Sequence, residues 1–468
     1  MKRAYILLAV LPVAGYAAGP EPKPANFILP GSFGQELPEA PADLANWWKK
    51  FNDPELSSLI DRTLRSNLNL QMAVARIQQA RAAVGAAKST GLPMLSQTNT
   101  LKHSSGPAST STEPGLQKLL AGNGGSVDNR QFGLGVTWAR NFFGGNRNIA
   151  KAAVSEVGVA EEDRRAVMVT LFGDVASYYV QLRGLQAQLA IARKGVEFRR
   201  DSLRLVDSRL AAGLATDADV TPLQLDLANA ESLIPGMEAS IELHVHQLAV
   251  LAGEEPSALI GELIPPRAVP DGPSDVPLGS PEELVRRRPD VRKAQQEVDA
   301  AEARTAAARA ERFPQFSFTG NFGGRDQQIS ALKLGNSGGF FSVGPSVSIP
   351  LFAAGKIRSD IQARSAERQQ ADLQYQQAIL QALQEVEDAL AKYSHERDRK
   401  AVLEQMAGTS QRKLALAREL FDAGIQDYNP VLDAEQSVIA ATTQLAGSEE
   451  SVTEDLIALY RALGGGWN

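Results

Sequence analysis

Four histidines, His103, His244, His246 and His395, and no cysteine make up the imidazole and thiol inventory of this chain. His244 and His246 stand two apart on a predicted helix, so they leave it on different faces and form a poor metal pair, which on a helix needs a spacing of three or four. Buried or solvated histidines are the simpler expectation. Gly464-Gly465-Gly466 and Gly144-Gly145 lack the strand, loop, helix and Lys context that a phosphate-cradling loop requires. No nucleophile, base and orienting carboxylate fall at a recognised spacing. The reading is of a chain with no active site, no cofactor and no metal. Its 54 acidic and 48 basic residues leave a net charge of −6, without a long basic run. The short cluster Arg286-Arg287-Arg288 suits a solvated or paired surface, so a nucleic-acid partner has little electrostatic support.

With no chemistry to position, the elements themselves carry the information, and their main feature is duplication. Stepping by seven, Leu171, Tyr178, Leu185, Ala192, Arg199 and Val206 form one row, and Val175, Leu182, Leu189, Val196, Leu203 and Leu210 another. Arg199 alone breaks this heptad seam. A shift of 211 residues, the distance from Gly213 to Gly424, gives a smaller-residue copy: Ala382, Ala389, Glu396, Leu403, Ser410, Ala417, with Val386, Tyr393, Lys400, Ala407, Leu414, Phe421. Only 6% of the 468 residues are aromatic, a composition that favours extended helical packing over a compact globule.

Met1-Lys2-Arg3, an apolar run from Ala4 to Val13 and the small residues after it have the layout of a secretory signal peptide, taken as residues 1–18. Val13-Ala14-Gly15 resembles the approach to a lipidated cysteine, but Tyr16 cannot carry the thioether lipid. No later stretch offers about 18 consecutive apolar residues. Any passage through a membrane must therefore be made by β-strands.

Residues 19–255 read as a first repeat: an N-terminal segment with Trp47-Trp48 and Phe51, helices, alternating strands at 95–103 and 131–140, a long helix 146–212 and a returning helix 217–252. A Pro-rich linker, 256–280, precedes the second repeat, 281–468, with strands at 315–322 and 340–350, a long helix 356–423 and a returning helix 430–463. Each long helix spans roughly 100 Å at about 1.5 Å per residue. Four strands of about 9 to 10 residues suit a tilted bilayer crossing. Four cannot close, and an open edge is prohibitive in lipid. Closure requires strands from identical chains: two chains would pool about 8 and three about 12, and only the larger number leaves a useful lumen. The plainer alternatives are a solid coiled-coil stalk carrying an ordinary soluble hairpin, or a periplasmic scaffold without a lumen.

The chain resembles the TolC-like outer membrane efflux proteins, in the NodT subfamily serving resistance-nodulation-division pumps. The residues that carry the resemblance are Trp47-Trp48 with Phe51, Asp53, Pro54 and Leu56; Asn67-Leu68-Asn69-Leu70 running into Ala73, Ala75-Arg76 and Gln79-Ala80-Arg81-Ala82; Arg287-Arg288-Pro289-Asp290-Val291; Leu432-Asp433-Ala434-Glu435; and Tyr460-Arg461-Ala462-Leu463-Gly464-Gly465-Gly466-Trp467. It implies a mainly α protein with membrane β: a homotrimer whose 12-stranded barrel continues into a periplasmic α-helical barrel. It also implies a passive exit duct for drugs or small molecules in the outer membrane lipid, docked through a periplasmic adaptor to an inner-membrane pump. Type I protein secretion or heavy-metal export are alternatives within the same duct class. The helix tips at Arg209, Leu210, Gly213, Leu214 and at Leu420, Gly424, Ile425 resemble adaptor-facing ends. Asp433 matches a family position that lines the periplasmic aperture, with Glu435 close by. Carboxylates ringed on a narrow axis would repel one another and attract cations.

Overall fold

Asp53 starts the first helix by local chemistry. Its carboxylate accepts from the amides of Glu55 at 2.8 Å and Leu56 at 3.0 Å, and Pro54 supplies a preset φ at a position needing no donor. The computed structural model describes residues 44–105, 126–273, 279–326 and 338–467. The expected signal peptide with Tyr16 and the Pro-rich start up to Pro41 lie outside the described residues, as does part of the linker. After a 3₁₀ turn, Trp47–Phe51, the elements are α1 (Pro54–Ser66), α2 (Leu68–Ser89), β1 (Met94–Ser105), β2 (Ser126–Arg140), α3 (Gly145–Ala211) and α4 (Asp217–Leu251). A short α5 (Ile260–Leu263) and α6 (Pro281–Arg287) lead to α7 (Pro289–Ala310), β3 (Gln315–Asp326), β4 (Gly338–Ser348), α8 (Lys356–Asp422) and α9 (Asn429–Ala462). β4 stops at Ser348, short of the expected 350, because its partner β3 begins only at Gln315, which pairs with Ser348.

The four strands form one antiparallel sheet in the order β1-β2-β3-β4, and the central β2–β3 pairing joins the two repeats. Its register sorts the side chains by polarity. Trp138 opposes Phe318, Leu134 opposes Phe322, Phe322 opposes Phe341 and Gly320 opposes Val343, all on one face. The other face carries Ser96 opposite Gly135, Thr137 opposite Thr319 and Ser317 opposite Ser346. A sheet with large apolar groups outward and small polar groups inward suits a wall between lipid and water.

Below the strands α3 and α8, each 67 residues long, run the length of the helical layer. In the half nearer the strands the order across the layer is α2, α3, α7, α8; in the far half it is α4, α3, α9, α8. One edge thus belongs to α2 and α4, the other to α8. No helix among the described residues is long and apolar enough to cross a membrane.

The main core sits at mid-length of α3, where the N-terminal segment, the linker and the C-terminus converge. Trp47 stacks on Tyr460 with ring centres 5.2 Å apart, and Trp48 meets Phe172 edge-on at 5.0 Å. Arg183 of α3 is also fully buried, against the Tyr179 ring. It pairs with Glu55 of α1 and donates to the carbonyls of Leu263 at 3.1 Å and Pro265 at 3.0 Å. One guanidinium, with its five donors in a fixed fork, therefore ties three remote segments together. Tyr179 adds hydroxyl contacts to Asp53 at 2.8 Å and Glu55 at 2.9 Å.

Candidate functional site

Both long helices end in the same hydrogen-bonded turn. Gly213 donates to Leu210 O at 2.9 Å and Leu214 to Arg209 O at 2.8 Å; in the second copy Gly424 donates to Phe421 O at 2.8 Å and Ile425 to Leu420 O at 3.0 Å. This is the Schellman arrangement, which needs a left-handed residue after the helix. Gly213 and Gly424 supply it with φ of 73° and 70°, at no Cβ penalty. The consequence is two blunt hairpin tips, each with one bare aliphatic side chain at its apex, since Leu214 and Ile425 are both 71% exposed. Of the other tip residues, Arg209, Leu210 and Leu420 are half-buried.

Just above the tips, Asp433 and Glu435 part company. Two residues apart on α9, they lie about 200° apart around the helix. Asp433 is exposed, and its backbone carbonyl accepts from Ser437 Oγ at 2.7 Å. Glu435 is buried and paired with Arg418 of α8 at 2.8 Å. Its other oxygen lies 3.5 Å from Ser202 Oγ of α3, whose hydroxyl is 3.0 Å from Tyr428 Oη. The Arg418 guanidinium also lies over the Phe198 ring of α3 at 5.4 Å. Burial pushes the Tyr428 hydroxyl above its ordinary value, and the Glu435 charge adds to that, against the hydrogen bond with Ser202.

The cluster therefore bolts the hairpin α8–α9 onto α3 near its free end. Ser202, Tyr428 and Arg418 escape sequence reasoning, since each is ordinary on its own helix. The visible signal was Arg199, the lone break in the heptad seam. It pairs with Asp226 of α4 at 2.8 Å and donates to Gly195 O at 3.2 Å, holding the other hairpin.

Higher on the α3–α9 seam lies a second polar group. Gln188 donates to Glu450 at 3.1 Å and Gln181 to Glu454 at 2.6 Å. Burial, and then the nearby Glu454 charge, push Glu450 up to about 7 against the Gln188 hydrogen bond. Among the described residues no group of His, Asp and Glu is placed to hold a metal ion.

Comparison with known proteins bears on all of this. A family model described as outer membrane efflux protein matches residues 59–254 and 280–465, one match for each repeat. The chain is 30% identical over 445 residues to outer membrane protein OprJ of Pseudomonas aeruginosa, covering 92% of this chain and 88% of that protein. It is 28% identical over 428 residues to the solvent efflux pump outer membrane protein SrpC of Pseudomonas putida, covering 89% and 87%. The solved structure of the outer-membrane channel OprN superimposes with a TM-score of 0.82 at 28% identity, over 96% of this chain and 99% of that one.

Proposed function

The chain belongs to the outer membrane efflux protein family, whose members are channels, and from that premise we propose that it is the exit duct of a tripartite efflux pump. It sits in the outer membrane with its helices in the periplasm and passes drugs or other small molecules outward. The reading includes no catalytic step: transport energy comes from an inner-membrane pump reached through a periplasmic adaptor.

The observation that carries this reading is the unfinished state of both layers. Among the described residues a four-stranded sheet with one apolar face ends in two unpaired strands, β1 and β4. The helical layer beneath ends likewise in α2 and α4 on one side and α8 on the other. Unpaired strand edges are untenable in lipid, and the two edges lie on matching sides of sheet and helices. Three copies joined edge to edge close both layers at once, giving about 12 strands, enough for a water-filled lumen. In the closed tube Asp433 would face the axis at the narrow end, while the Glu435, Arg418, Ser202 and Tyr428 cluster holds the hairpin inward. The bare tips at Leu214 and Ile425 would be the docking points for the adaptor.

Purified protein in a planar lipid bilayer should give discrete conductance steps. Protein that inserts and stays silent at all voltages, even with Glu435→Gln and Arg418→Ala combined, would refute the duct.

A further inference from the structure

The internal repeat allows the contacts between chains to be read from contacts within one. α3 and α8 are equal in length and 211 residues apart, and α4 and α9 end at Leu251 and Ala462, again 211 apart. α2 and α7 are both 22 residues long and 221 apart. α3 packs against α7 and α9 of the second repeat. Among the described residues no further helix packs along the equivalent face of α8, and by repetition its partners are α2 and α4 of a neighbour. This step rests on the trimer reading above.

At four points along the internal seam α3 has a glycine where its partner sends in a long side chain. A Cβ on Gly158 would stand 2.5 Å from Gln296 Oε1 of α7, one on Gly195 3.1 Å from Ile439 Cδ1 of α9, and one on Gly184 would collide with the Glu450 carboxylate. At the equivalent positions the sizes are exchanged. Gly158 and Gln296 become Gln369 and Ala75, Gly184 and Glu450 become His395 and Ala239, and Gly195 and Ile439 become Met406 and Ala228. All six of the replacing residues are exposed in the single chain. At a fourth site Gly173, facing Arg461, becomes Gln384, facing Val250, which keeps the length on α8 without reducing its partner to Ala. A free surface has no reason to repeat this large-against-small alternation, whereas a packed seam between helices requires it.

We propose that α8 of one chain packs on α2 and α4 of the next, with Gln369, His395 and Met406 seated over Ala75, Ala239 and Ala228 of the neighbour. The seam between chains is then the size-inverted copy of the seam inside each chain. Inversion also explains specificity: α8, which brings its own long side chains, cannot replace α3 against the long side chains of α7 and α9, so internal and external partners are not confused.

The absence of cysteine makes the test clean. In the full-length chain, the pairs Met406→Cys with Ala228→Cys and His395→Cys with Ala239→Cys should yield cross-linked dimers and trimers on a denaturing gel after a short bismaleimide reagent. Within one chain α3 and α9 separate α8 from α4, so these products report contacts between chains. The crossed pairs, Met406→Cys with Ala239→Cys and His395→Cys with Ala228→Cys, are offset by 11 residues, about 16 Å along a helix, and should give none. Light scattering on the same detergent-solubilised variants separates the possible failures. Single chains in detergent would overturn the trimer itself. Trimers in which crossed and matched pairs react alike would overturn the seam alone. As a second measurement, Ala228→Met should lose the trimer and Met406→Gly added to it should restore it; no loss, or no restoration, counts against the inverted packing.

Discussion

The middle of the helical layer and its far tips are built from the same helices but held by different means. At mid-length the aromatic cluster of Trp47, Trp48, Phe172 and Tyr460 is buried, and Arg183 joins α3 to α1 through Glu55 and to the linker through the carbonyls of Leu263 and Pro265. Near the tips the buried cluster shrinks to Leu414, Ala417, Val431, Ala434 and Val438, supplemented by the Glu435–Arg418 pair and the Ser202–Tyr428 contact. Apolar burial and desolvated ion pairs resist local opening, whereas a small cluster with a half-exposed partner opens at low cost. The contrast describes a helical layer held firmly at its middle and loosely at its free end.

The sharpest way to break the contrast is at the waist. Arg183→Met strands the buried Glu55 carboxylate, which should cost about 3–5 kcal/mol and remove most folded protein, seen as a lowered melting temperature by circular dichroism. Adding Glu55→Gln should recover much of that loss; a single variant that melts like the parent would show the waist is not held by this pair.

Between waist and tip, Glu450 gives a pH-dependent version. Its folded value, about 7, lies above the ordinary 4.5. A carboxyl raised on folding contributes stability that is complete below the ordinary value and is lost as pH rises through the folded one. The parent should therefore melt at falling temperature from pH 5 to pH 8. Glu450→Gln should flatten that slope and gain on the order of 1 kcal/mol at pH 8, after allowance for solvent screening. An unchanged slope would assign the dependence elsewhere.

At the tip the effects move from stability to conduction. Glu435→Gln should cost less than about 1 kcal/mol, because Arg418 is half-exposed, and Arg418→Ala about 1–3 kcal/mol, because it strands the buried Glu435 carboxylate, yet each should raise single-channel conductance in bilayers severalfold. An equal conductance would mean that the cluster does not hold the hairpin closed. The smallest structural effect belongs to Asp433→Asn. It should leave the melting temperature unchanged while reducing cation preference, measured as a shift in reversal potential under a salt gradient.

The amino-acid sequence determined the elements because their signals are local. Heptad rows, Gly213 and Gly424 after the long helices, Asp53 before Pro54, and alternation around Trp138 and Phe318 each depend on residues within a few positions. It also determined the duplication, which the family model matches once in each repeat. Tertiary structure alone decided the pairings across helices: Ser202 with Tyr428, Arg183 with Glu55 and Leu263, Gly184 with Glu450. Those contacts depend on the axial register between long helices. A heptad pattern is compatible with several registers, a turn apart, and the choice is made by packing the whole layer. The same reason separated Asp433 from Glu435: they are neighbours in sequence, but one helix face meets solvent and the other meets α8 and α3.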